Sequence, residues 1–401
     1  MSKKNRKWLV FTIMCLAYMP GSYAQYQLSV YASELIQSFG LTTSQFSSLF
    51  TAPMIVAIFL SFVGGMISDK VGSKKVINIS FVIAGIGMIG RVFANSYMPF
   101  FLCMALTGFS NMFVNINASK ITASWFEQEK LGILMGIFAF CGQLPGAFAT
   151  ATTAVLFDSR TSAFIVSAIF CISVFVLWLF FVKDKPEDTM EEREKIDQEN
   201  QPSIGDSLKV VLSNKGIWLV SICIMMALGS TVTLSTFMPM ALQTMYGIDL
   251  KVCGTIASML TLGNCIGSIT GPIVFSKIKN VKVFVSGAAV LSFAGIIMCW
   301  RFPSIFVLHI LVLYTGIMLG ASRPIFLSAP VLLEGLGTKY AGSAAGVIST
   351  LQLLGAVLIP TYILTPIAGD NYSLLFMLAS ICMVIMFLCG LLLPQFGNNQ
   401  K

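Results

Sequence analysis

Twelve long apolar stretches, each bounded by charges or by clusters of Gly, Pro and Asn, constrain this chain more than any other feature. They run over roughly 8–32, 45–68, 76–95, 98–124, 131–157, 162–182, 216–246, 252–276, 281–300, 304–332, 341–366 and 371–393. A helix needs about 20 apolar residues to cross a hydrocarbon core. No water reaches that core, so each segment must satisfy its own backbone polar groups, which at these lengths only a helix does. The expectation is an all-α integral membrane protein with twelve transmembrane helices. A composition that is 56% hydrophobic and 10% charged, with mean hydropathy +0.84, excludes a water-soluble globule.

The net charge of +8 does not point to nucleic acid, because the basic residues follow membrane topology. With a cytoplasmic N-terminus, Lys3, Lys4, Arg6, Lys7, Lys70, Lys74, Lys75, Lys130, six basic residues of 183–215, Lys277, Lys279, Lys282, Lys339 and Lys401 all fall inside. Only Arg91, Arg160, Lys251 and Arg301 fall outside. Such a bias orients a multi-pass protein and puts both termini in the cytoplasm, with a bacterial inner membrane as the expected location. Lys3–Lys7 and Ser22-Tyr23-Ala24 imitate a signal peptide, but the apolar run continues past that site and reads as the first span. The ten cysteines lie almost entirely within spans, with no C-x-x-C pair. They read as small membrane residues and not as disulfides or a metal site.

One long polar segment, 183–215, carries nine of the seventeen acidic residues and divides the chain into six-helix halves, 1–182 and 216–401. Within it Ile204, Leu208, Val211 and Leu212 have helical spacing suited to a membrane surface. The halves carry traces of repetition. Gly132 and Gly136 recur as Gly342 and Gly346, and Thr107-Gly108 recurs as Thr315-Gly316. Internal symmetry of this kind places a substrate site between the halves, near the bilayer midplane.

Between the second and third spans lies Gly65-Met66-Ile67-Ser68-Asp69-Lys70-Val71-Gly72-Ser73-Lys74-Lys75, a tight charged hairpin. Its spacing, Gly-x-x-x-Asp-Lys-x-Gly-x-Lys-Lys, resembles the loop between helices 2 and 3 of major facilitator superfamily transporters. The resemblance extends over the whole chain through helix count and central linker. It implies that Gly65, Asp69, Lys70, Gly72 and Lys74 regulate rocking between the halves; the alternative is a purely topological turn. Gly271-Pro272 through Lys277 is a decayed copy lacking the aspartate. Asn117-x-x-Lys120, followed by Trp125-Phe126-Glu127 and Lys130-Leu131-Gly132, resembles the helix 4–5 turn of monocarboxylate, oxalate/formate and nitrate-type porters. The chain lacks the glycine-rich signature of nitrate porters and the basic residues of helices 8 and 11 of oxalate porters. Gly132, Gly136, Gly142, Pro145 and Gly146 gather in the fifth span, where another helix can approach closely. Their order departs from the Gly-Pro-x-x-Gly-Gly of the superfamily's antiporters and does not indicate antiport.

Ionisable groups deep in a span are costly and normally face a cavity. No Asp or Glu occupies mid-span here. Arg323 is the leading candidate: it lies eleven residues before Glu334, about 16 Å along a helix. Its guanidinium suits carboxylate or phosphate oxygens. Pro324 is expected to kink the helix there, and Gly316 and Gly320 share its face. The alternative is a structural arginine bound to carbonyls or Glu334. Lys120 is the second cation, facing the cavity with Asn117 or snorkelling to the cytoplasm. By the repeat it sits opposite Arg323. His309, the sole histidine, is either a proton-coupling group or a packed, hydrogen-bonded one. Arg91 is expected to snorkel to the outer headgroups. Tyr26, Gln143 and Gln352 add polar contacts for cargo.

These readings converge on a secondary active transporter for a small anionic, carboxylate-type metabolite, using alternating access. Its partners are the cargo, a coupling proton or counter-anion, and the bilayer, with the chain acting as a monomer and without cofactor. Two rivals remain: an exporter of hydrophobic solutes, and a membrane sensor with the transporter fold. Nothing in the sequence resembles a nucleotide-binding loop, a metal cluster or an enzyme site.

Overall fold

A computed structural model describes residues 3–182, 204–299, 301–302, 304–333 and 336–395. The linker stretch 183–203 and Glu334 lie outside the described residues. Among the described residues the elements are all helices, joined by short connections, with no strand. Eleven helices are long and apolar enough to cross a membrane. The expected first span is helical as well but interrupted, as α1 (Lys3–Ala17) and α2 (Met19–Val30).

The interruption corrects the expectation of one continuous helix, and its cause is local. Pro20 has no N–H for the Leu16 carbonyl and its ring clashes with that turn. The chain pivots at Tyr18, whose N–H bonds to the Cys15 carbonyl at 3.3 Å. Asn111 of the fourth span bridges the break. Oriented so that both ends of its amide are satisfied, it donates to the Tyr18 carbonyl and accepts from the Ser22 hydroxyl and N–H, each at 3.1 Å. Gly21 makes room for it, since a Cβ there would lie 2.5 Å from the Asn111 amide.

Chain contacts define two compact units. One comprises Ile248–Ser258 and the described residues up to Val182; the other begins at Ile204 and excludes Ile248–Ser258. In the first, α1 and α2 are followed by α3 (Ala32–Phe39), α4 (Thr43–Val71), α5 (Ser73–Phe93), α6 (Tyr97–Trp125), α7 (Gln128–Leu156) and α8 (Arg160–Phe181). Thr42 starts α4 with a capping box closed by Gln45, which satisfies donors that the helix leaves open. Helix α5 shows what solvent the fold is built for. Its outward face is Ile79, Val82, Ile86, Ile89 and Phe93, all exposed, while Ser80 and Arg91 are buried. An apolar stripe turned outward while the helix's serine and arginine turn inward is the pattern of a helix in lipid.

The second unit contains α9 (Ile204–Ser213), α10 (Lys215–Tyr246), most of α11 (Leu250–Ile278), α12 (Val281–Met298), α13 (Ile305–Ala321), α14 (Arg323–Leu332), α15 (Gly337–Leu358), a π-helical turn at Ile359–Leu364, α16 (Thr365–Ala368) and α17 (Tyr372–Leu392). At the kink expected near Pro324 the helix is interrupted for one residue, Ser322, between α13 and α14. The π turn follows from Pro360, which cannot donate to the preceding turn. Helix α10 also carries a run of hydroxyls, among them Ser230, Thr231, Thr233, Ser235 and Thr236. Most bond their own helix, as Thr231, Thr233 and Thr236 do to the carbonyl four residues back. Ser230 ties α10 to α17 through the Ala379 carbonyl at 3.0 Å.

Candidate functional site

In the first unit, the broken helix lies on the glycines of α7. The Tyr18 ring stacks on Phe138 with centroids 4.8 Å apart and covers Gly142, where a Cβ would fall 1.9 Å from the ring. Tyr26 covers Gly146 and meets Phe50 edge-on at 5.5 Å. Gln143 follows Gly142 on α7, half-buried, and makes no hydrogen bond among the described residues. The structure thus packs Tyr26 against α7 but shows no contact between it and Gln143 among the described residues, while Gln25 is held to the Phe50 carbonyl of α4 at 2.8 Å.

Asn117 and Lys120 are placed differently. Asn117 is buried, and its amide donates to the Ser68 hydroxyl and the Phe113 carbonyl. Lys120 is exposed on α6, nine residues beyond Asn111, which is about 13 Å along the helix. In the hairpin, Gly72 ends α4 with φ 94 and ψ 137, its N–H on the Ser68 carbonyl. Lys74 reaches the Leu179 carbonyl at 3.4 Å, in the last turn of α8, where carbonyls lack helical partners. The side chains of Asp69 and Lys70 lie outside the described residues, as does the environment of Gly65.

Arg91 requires a correction. It does not snorkel outward but turns into the unit and is 1% exposed. It donates to the Ala24 carbonyl and to Gln27 Oε1, each at 2.9 Å, and to Ser167 Oγ. The Phe164 ring lies 4.3 Å from its carbon. These partners belong to α2 and α8, so a buried cation joins three spans.

In the second unit, Arg323 is the first residue of α14, directly after the break. It is half-buried and makes no hydrogen bond or ion pair among the described residues. Gln352 is buried on α15 and also makes no hydrogen bond among the described residues. Gly316 and Gly320 were expected to form a wall beside Arg323; they instead seat α13 against α11. A Cβ on Gly316 would lie 2.2 Å from the Leu260 carbonyl, and one on Gly263 would lie 2.3 Å from the Leu313 carbonyl. His309 bonds through Nδ1 to the Ile305 carbonyl at 2.8 Å, within its own helix. Among the described residues no three His, Cys, Asp or Glu side chains gather where they could hold a metal ion.

The sequence of residues 10–360 matches the family model of the Major Facilitator Superfamily. The chain belongs to that superfamily. Among its relatives is a protein named as a probable sulfoacetate transporter of Cupriavidus necator, 24% identical over 85% of this chain and 83% of its own length. Another is a galacturonate transporter of Dickeya chrysanthemi, 22% identical over 74% of this chain and 90% of its own. The fold matches that of an inward-facing bacterial homologue of the human lysosomal transporter Spinster. That match has TM-score 0.77 at 14% identity and covers 98% of this chain and 95% of that one.

Within this superfamily fold, several features escaped the reading of residues alone. The break at Tyr18 had a signal in Pro20-Gly21. The α11 seat had one in Gly263, Gly267 and Gly271, spaced four apart. The burial of Arg91 had none, because its partners are supplied by other helices.

Proposed function

We propose that this protein is a secondary active transporter that moves a small anionic, carboxylate-type metabolite by alternating access, with halves 1–182 and 216–401 joined by the linker 183–215. One observation carries the reading. Arg323 is permanently charged, half-buried, beside a helix break, and without an ion pair or hydrogen bond among the described residues. A guanidinium in that state is suited to the paired oxygens of a carboxylate or sulfonate. Broken spans mark cargo sites in transporters because they free backbone groups at membrane depth, and both α1–α2 and α13–α14 are broken. The names of the two relatives, which specify organic acids, support the same class of cargo.

Gln143, Gln352 and Tyr26 supply neutral polar contacts, with Asn117 behind them and Lys120 as a second cation nearer the cytoplasm. The hairpin of Gly65, Asp69, Lys70, Gly72 and Lys74 changes its contacts as the halves rock. Coupling runs through a counter-anion, a proton carried by the cargo, or His309. The chain works as a monomer in a bacterial inner membrane with both termini cytoplasmic.

The test is thermal unfolding of the purified protein with sulfoacetate, galacturonate, simple carboxylates, and neutral and cationic metabolites. A ligand at about 100 times its dissociation constant adds roughly 2.7 kcal/mol. Stabilisation by organic anions that Arg323→Ala abolishes is the expected result. Stabilisation confined to neutral or cationic compounds would sink the reading.

A further inference from the structure

Helix α9 is joined to α10 through one residue, Asn214, whose side chain accepts from the Gly216 N–H at 2.9 Å. The joint stands at a membrane edge. A Cβ on Gly216 would lie 2.9 Å from Leu333 and 3.1 Å from Pro394, which stand just past the ends of α14 and α17. Trp218, in the first turn of α10, donates from its indole to the Leu212 carbonyl at 2.8 Å. That carbonyl belongs to the last turn of α9, where carbonyls lack helical partners. The indole therefore ties α9 to the foot of a helix long and apolar enough to cross the membrane.

Successive helical residues are turned by about 100°, which divides α9 into sectors. Ser207 and Val211, one turn apart, are buried, and α9 packs on α15 and α10. Val211, grouped by its spacing with the membrane-facing residues, thus turns to the protein. Next round the helix come Leu208 and Leu212, 38% and 43% exposed. Beyond them lie Lys209 and Ser213, both exposed. Val210 is exposed too, but half a turn from the leucines. The order of protein, apolar and polar sectors at a membrane edge, with an exposed Trp beside the apolar one, is that of a helix lying in the headgroup region. Lys209 and Lys215 are exposed, make no ion pair among the described residues, and outnumber the single acid of Ile204–Trp218, Asp206. Lysines beside a membrane-seated stripe complement anionic headgroups.

We infer that α9 is a lipid-binding element: Leu208, Leu212 and Trp218 enter the acyl boundary while Lys209 and Lys215 hold the headgroups of anionic phospholipids. The inference is independent of the cargo. It is tested on the full chain in vesicles of phosphatidylcholine alone or mixed with phosphatidylglycerol. After replacement of the ten native cysteines, nitroxides are placed on Leu208→Cys, Leu212→Cys and Ser213→Cys. Collision with oxygen relative to a water-soluble nickel chelate is expected to be severalfold higher at 208 and 212 than at 213. In a second measurement, which keeps the native cysteines, brominated forms of the two lipids quench tryptophan fluorescence, and the part lost in Trp218→Phe belongs to Trp218. Each lysine near an anionic surface is worth about fivefold in association at most. Phosphatidylglycerol is therefore expected to associate about three- to tenfold more strongly than phosphatidylcholine, and within about twofold of it when Lys209→Gln and Lys215→Gln are combined.

Labels at 208 and 212 as open to water as the one at 213 overturn the inference. Low collision with both probes at 208 and 212 also overturns it, because protein, from a second copy or another chain, would then cover the face. Equal association of the two lipids, or a preference that survives loss of both lysines, overturns it as well. The quenching comparison decides alone if the cysteine-free chain does not fold.

Discussion

The Asn117 amide of α6 donates to the Ser68 hydroxyl of α4 at 3.0 Å, and Ser68 immediately precedes the hairpin aspartate. Through its carbonyl, Ser68 also accepts the Gly72 N–H that closes the helix. One serine thus joins the wall of the proposed cargo site to the turn that is proposed to regulate rocking.

Removing that bond is expected to show coupling. Asn117→Leu and Ser68→Ala should each lower unfolding stability by roughly 0.6–1.7 kcal/mol, the range for interhelical hydrogen bonds in membranes. The double variant should lose little more than the costlier single one, because both remove the same interaction. Thermal unfolding of the four proteins measures this. Full additivity would mean that the bond contributes nothing.

The α2–α7 seam makes a second prediction, in the form of a contrast between glycines of one helix. Gly142→Ala puts a methyl where the Tyr18 ring lies, while Gly136 has no atom within 4 Å of its would-be Cβ. The first change must displace Tyr18 from Phe138 and is expected to cost about 1–3 kcal/mol, as overpacking does. Gly136→Ala is expected to be neutral or to stabilise by up to about 1 kcal/mol through helix propensity. Equal effects in the melting temperatures would show that Tyr18 is not seated on Gly142.

A third prediction concerns Gly72, whose φ of 94 and ψ of 137 lie where L side chains are strained. Gly72→Ala is expected to cost about 1–3 kcal/mol and to slow transport of any anion identified by thermal stabilisation. Gly85→Ala, in the helical backbone of α5 with nothing within 4 Å, is the control. If the two variants unfold alike, the hairpin conformation is not as described.

What the chain discloses depends on how local each cause is. Spans were legible because about 20 apolar residues suffice to specify one, and the Ser322 break was signalled by Pro324 beside it. The superfamily was legible from Gly65 to Lys75, since a tight turn writes its demands into adjacent residues. Pro20 and Pro360 carried the same kind of signal, but the surrounding apolar runs masked it, and the Tyr18 break and the π turn went unread. Arg91 was misread for a different reason. Whether an arginine near a helix end snorkels or turns inward depends on what other helices offer, and Ala24, Gln27 and Ser167 are 67, 64 and 76 residues away.

The turn between α6 and α7 gives a prediction in pH. Lys130 Nζ lies 3.0 Å from Glu127 Oε2, and this hydrogen bond and charge, with Lys7 adding a little, hold the Glu127 carboxyl below its ordinary range. A carboxyl whose folded pKa is depressed contributes stability above its unfolded pKa and loses it as pH falls through the folded value. The stability difference between wild type and Glu127→Gln should therefore be positive near neutrality and should shrink to nothing on acidification, between about pH 5 and 3. The effect should be small because both side chains are exposed, at 54% and 70%, and such pairs are weak. It should also vanish in about 1 M salt, where the screening length is near 3 Å. Paired unfolding curves across pH, at low and high salt, measure it. A difference that grows on acidification would reverse the sign and show that Lys130 does not hold Glu127 in the folded state.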